Sequence, residues 1–185
     1  MKKSLILALS ILALFGSAEA QVQGGNILGL EGAWGMRGGS MMETLSITSP
    51  YLKMGNGLIA IKASGDLSLA AGQMVGTNAI SYSTFWSTRL GFTSKREIND
   101  YISTSLDMGG VMLFPSSEIS ASESLHLGVY ADLGVEFYLD STKRKSLYLS
   151  AGYQFLVDPL VADKYAGNDI LGTGADVSAG IRFWL

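Results

Sequence analysis

His126 is the only histidine in the 185-residue chain, and it is the first residue to weigh for chemistry. An imidazole can serve as general base, metal ligand or plain hydrogen-bonding group. One His among scattered carboxylates has no metal-ligand spacing. The chain has no cysteine, which removes thiol catalysis, disulfides and Cys-based metal sites. Acyl transfer would require a hydroxyl nucleophile within reach of the His. Its neighbours of the same parity are Gly128, Tyr130, Asp132, Gly134 and Glu136, so a serine would have to come from elsewhere in the fold. The expectation is a hydrogen-bonded interior histidine, with no catalytic residue, no metal and no cofactor. Gly72-x-x-x-Gly76 lacks the Lys-Ser/Thr that a phosphate-binding loop needs. The run from Asp140 to Lys145 reads as a solvated turn. A formal net charge of −3 provides no basic face for nucleic acid.

The remaining candidates are charged residues, and what could gather them is alternation. From Leu125 to Leu139 the odd positions are all apolar, while the even ones read His126, Gly128, Tyr130, Asp132, Gly134, Glu136 and Tyr138. A period of two puts one face of a strand in an apolar medium and the other in a tight, polar one. Eight such segments can be read: 26–36, 41–49, 57–70, 77–92, 101–114, 125–139, 146–157 and 174–185. Their lengths suit tilted strands that cross a bilayer, and the pattern predicts an all-β, eight-stranded, antiparallel, up-and-down transmembrane barrel. The expected periplasmic turns are 49–56, 93–100 and 140–145. The expected outer loops are 37–40, 71–76, 115–123 and 158–173.

Parity then turns charged residues into a lumen. Glu31, Lys62, Arg89, Glu136 and Arg182 point inward, about three to five residues from the periplasmic ends of their segments, and should pair there as a plug. Asp66, Asp107, Asp132 and Asp176 are expected above them as a wetter acidic vestibule. Outward Phe92, Phe137 and Phe183 read as a periplasmic aromatic girdle, and Phe114 and Phe155 as an outer one.

The N-terminus fits export. Lys2 and Lys3 precede an apolar stretch from Leu5 to Phe15, and Ala18-Glu19-Ala20 is a small-x-small cleavage pattern. The reading is a signal peptide over 1–20 and a barrel domain over 21–185. The mature chain would have 165 residues, 11 basic and 15 acidic. It contains no apolar run long enough for a spanning helix, yet the full chain is 48% hydrophobic with 23 glycines. An exported, Gly-rich chain of this kind matches the profile of an outer-membrane barrel.

At the C-terminus Val177, Ala179, Ile181, Phe183 and Leu185 keep alternate apolar residues in phase to the last position. This resembles the C-terminal assembly signal of bacterial outer-membrane barrels, although such signals usually end in an aromatic residue. With the leader and the mature length, the chain resembles the small eight-stranded OmpA/OmpX/OmpW-like porin family. That resemblance implies the barrel-insertion machinery and outer-membrane lipid or lipopolysaccharide as partners, a monomeric state, and location in the outer membrane. Two functions follow from it. One is a non-enzymatic envelope barrel, acting as structural component, adhesion scaffold or narrow pore. The other is an outer-leaflet lipid-modifying enzyme. Barrels that deacylate lipid A carry a Ser two residues after the His, and here that position is Gly128, which disfavours the second.

Overall fold

The computed structural model of the protein describes residues 28–54, 57–77, 79–120, 124–166 and 170–185. The leader, its cleavage site and the first two residues of the 26–36 segment lie outside the described residues. The strands are β1 (Gly29–Arg37), β2 (Ser40–Thr48), β3 (Leu52–Met54), β4 (Gly57–Gln73), β5 (Ile80–Glu97), β6 (Ile102–Phe114), β7 (His126–Tyr138), β8 (Lys145–Leu156), β9 (Leu160–Val161), β10 (Ile170–Leu171) and β11 (Gly174–Trp184). Hydrogen bonding runs antiparallel from β1 through β2, β4, β5, β6, β7, β8 and β11, and β11 closes on β1. The result is a closed eight-stranded barrel. Short β3 prolongs β2 against β4, and β9 pairs with β10 inside the β8–β11 connection.

The alternation sets which side each residue faces. Leu133, Trp34 and Leu45 are 67%, 63% and 75% exposed, and every residue of both proposed girdles is exposed with them. Val177, Ala179, Ile181 and Phe183 alternate on the same outward face of β11. Inside stand Gly, Ser, Tyr and most of the charged residues of the strands. This is a soluble barrel turned inside out, with apolar side chains outside and polar ones within. Glu43 on β2 breaks the pattern, facing outward between Trp34 and Leu67.

Strand ends depart from the sequence expectation where polar residues continue the ladder. β5 runs to Glu97 rather than stopping at Phe92, because Thr93 and Lys95 still face inward and pair with Asp107 and Ser105. β1 runs to Arg37, so the expected 37–40 loop shrinks to a two-residue turn. Gly38 and Gly39 take positive φ of 51° and 83° there, the conformation a tight hairpin requires.

Gly91 and Gly109 face each other across β5 and β6, and both point inward. A Cβ at Gly91 would collide with the Met108 carbonyl, and one at Gly109 with the Leu90 carbonyl. Gly65, on the outward face of β4, has open space around it. Gly109→Val is therefore expected to lower folding stability by about 1–3 kcal/mol, while Gly65→Val is tolerated. Urea unfolding of the two variants in lipid vesicles checks the contrast.

Candidate functional site

The lumen is where the charged residues meet, and they form two connected clusters. In the lower one, Lys62 donates to Glu31 Oε1 at 2.9 Å and to Asp107 Oδ2 at 2.8 Å. Arg182 donates through Nε and Nη2 to Glu31 Oε2 at 2.8 and 2.5 Å, and through Nη1 to Glu136 Oε2 at 3.2 Å. Lys95 completes the cluster, 2.6 Å from Glu136 Oε2. Hydroxyls of Ser103 and Ser146 donate to the same Glu136 carboxylate.

The upper cluster is built on two arginines. Arg37 donates to Asp176 at 3.0 Å and to Asp66 at 3.1 Å. Arg89 donates to Asp176 at 2.6 Å, to Asp132 at 2.9 Å and to Gln154 at 3.0 Å, and lies 3.4 Å from Asp66. Thr44 and Ser87 donate to Asp66. Charge-assisted bonds of this length are the strong class, and Asp66 and Asp176 each accept from more than one donor. Tyr130 lies under the Arg89 guanidinium at 4.6 Å, and Tyr148 under that of Arg182 at 5.2 Å. Between the clusters remains a polar cavity of about 30 Å³.

Both mouths are filled. At the end that carries the β7–β8 turn the Lys95 ammonium sits 4.8, 5.3 and 5.5 Å from the rings of Tyr138, Trp184 and Tyr51. At the opposite end, Ile119 from one loop and Leu160, Ala162, Tyr165 and Leu171 from another fold down onto Phe85, Val111, Leu113 and Leu156. The Val75 amide donates to the Lys164 carbonyl, and the Ala166 amide to the Gln73 carbonyl, which fastens this cap to the end of β4. A larger concavity, about 710 Å³, lies on the outer wall and is lined by Leu30, Leu45, Ile47, Leu90 and Phe183.

The structure brings Glu31, Lys62, Glu136 and Arg182 together, but places Arg89 in the upper cluster. An end at Phe92 would put Arg89 in the lower layer, and the true end of β5 at Glu97 puts it higher in the barrel. Asp66, Asp132 and Asp176 do not form an open acidic vestibule. They are buried against Arg37 and Arg89, and Asp107 is held from below by the long Lys62 side chain. Arg37 and Lys95 were missed because both were assigned to turns. Extending the odd parity of their own strands by one or two steps would have found them. His126 is buried and its Nδ1 lies 2.8 Å from the Asp158 carbonyl oxygen, a bond that joins β7 to the cap.

Arg37 and Arg89 each bridge Asp66 and Asp176, so removing either leaves the same buried carboxylates one cation short. Arg37→Ala and Arg89→Ala are each expected to cost about 3–5 kcal/mol of folding stability. Equilibrium unfolding in vesicles measures this, and a cost below about 1 kcal/mol, the range of exposed pairs, would show water-separated charges.

No protein-family model matches the chain, and no curated protein matches its sequence. Among solved structures it is similar in fold to Ail, the attachment invasion locus protein of Yersinia pestis. The two are 12% identical with a TM-score of 0.44, over 85% of this chain and 95% of that one.

Proposed function

We propose that the protein is an integral outer-membrane β-barrel of the OmpA/OmpX/OmpW-like kind, acting in the envelope as a sealed, non-enzymatic wall component. The observation that carries this reading is the inverted packing of a closed barrel. Large apolar side chains cover its outside, while ion pairs fill its inside. A continuous apolar surface of this size needs a cover, and lipid is the cover a closed sheet without edges can accept. The leader pattern at Ala18-Glu19-Ala20 and the in-phase C-terminal strand support export and insertion as the route. Between the narrow and the sealed versions of such a barrel, the filled mouths and the paired lumen favour the sealed one.

Two measurements test the reading. Fluorophores at Leu127, Val135 and Ile181 should be quenched by brominated lipid chains, and one at Thr142 in the β7–β8 turn should not. Equal quenching at all four would remove the bilayer from the account. In planar bilayers the wild type should pass little steady current, and Arg182→Ala should raise it by opening the lower cluster. Large, stable wild-type channels that the substitution leaves unchanged would make the protein a pore.

A further inference from the structure

The buried charges of the lumen do not balance. Among the described residues they are the carboxylates Glu31, Asp66, Asp107, Asp132, Glu136 and Asp176 against the cations Arg37, Lys62, Arg89, Lys95 and Arg182. His126 stands apart at the outer end against Asp158. One negative charge is left over, and an uncompensated charge in a filled interior is costly.

The ion pairs show where the excess sits. Glu31 meets Lys62 and Arg182, and Glu136 meets Lys95 and Arg182. Asp66 and Asp176 each meet both Arg37 and Arg89. Within ion-pair distance Asp107 has Lys62 alone, and Asp132 has Arg89 alone. Both contacts use Oδ2, and Oδ1 of each residue is buried without a hydrogen-bond partner. Asp107 and Asp132 are 7% and 8% exposed, and they are direct cross-strand partners on β6 and β7. Facing side chains of such a pair have Cβ atoms about 4.5–5.5 Å apart. Two carboxylates that close cannot both ionise cheaply once water is gone.

We propose that Asp107 and Asp132 hold one proton between them in the folded barrel, and that this proton is the sixth positive charge of the lumen. The carboxylic acid so formed gains an O–H donor. It can reach the other residue directly or through one water in the 30 Å³ cavity that both residues line. The nearby cations are shared with other carboxylates. Lys62 approaches from β4 and Arg89 from β5, while Thr93 stands opposite Asp107. Asp176 from β11 adds a third carboxylate nearby, and Tyr130 and Tyr148 line the same cavity. On β8 the residue opposite Asp132 is Gly152, where a Cβ would collide with Asp132 Oδ1. The folded state therefore carries a proton that the unfolded chain releases, and stability falls as alkali removes it.

Infrared spectroscopy of the wild-type barrel in lipid vesicles at neutral pH reads the proton itself. A carboxylic-acid carbonyl band above the amide region, shifted in heavy water, is expected. Asp107→Asn and Asp132→Asn should each abolish it, because either substitution removes the surplus charge and lets the other carboxylate ionise. The wild-type melting temperature should fall as pH rises above about 4, where the unfolded carboxyls ionise, for as long as the folded barrel keeps its proton, and both variants should lack that fall. Absence of the band in the wild type overturns the proposal whether or not the variants fold. A melting temperature that follows sodium or potassium concentration, and not pH, also overturns it, in favour of a metal cation in the cavity.

Discussion

Eight strands close a bore just wide enough for its inward side chains to fill, so each charge placed there loses most of its water. Everything else in this barrel depends on how that loss is offset. Glu31, Glu136, Asp66 and Asp176 are each held by two cations, and hydroxyls of Ser46, Thr44, Ser87, Ser103 and Ser146 supply further donors. Arginine suits the role because its planar fork can serve two carboxylates at once, as Arg89 does across β7 and β11. Lysine appears where length matters more than planarity, as in the reach of Lys62 from Glu31 to Asp107.

The same pairs fix the strands against one another. A slip of one residue in any strand would turn its charged side chains outward and its apolar ones into the lumen. Glu31 on β1 opposite Arg182 on β11, and Arg37 opposite Asp176, fasten the seam where the first and last strands meet. A barrel without disulfides thus closes its ring through charges at two heights of one seam. The cation–aromatic floor around Lys95 and the apolar cap under Tyr165 then isolate those pairs from bulk water at both ends. Isolation strengthens each ion pair and raises the cost of any charge left over.

Much of this was legible in the residues, and the failures have two causes. Alternation located all eight barrel strands and the inward face of Glu31, Lys62, Arg89, Glu136 and Arg182, because a period of two survives an error in where a strand ends. Depth did not survive such errors. Taking Phe92 as the end of β5 set Arg89 too low and hid Lys95, and ending β1 at Met36 hid Arg37. Apolar residues reveal a strand only as far as the outward apolar band extends. Beyond that level the ladder continues on polar residues such as Thr93 and Lys95, which read as a turn. The cap was illegible for another reason. Ile119, Leu160 and Tyr165 have no periodicity, and their burial depends on packing between loops far apart in sequence.

The central claim is that the lumen charges are directly paired and dry, and a double-mutant cycle on Glu31 and Arg182 tests it most directly. Glu31→Gln, Arg182→Met and the double variant would be unfolded in urea from vesicles of one composition. Direct pairing requires the double variant to cost much less than the two single ones together, with a coupling energy above about 1.5 kcal/mol. Coupling within about 0.3–0.5 kcal/mol of zero would mean that water separates the charges, and the account of a sealed, ion-paired lumen would be wrong.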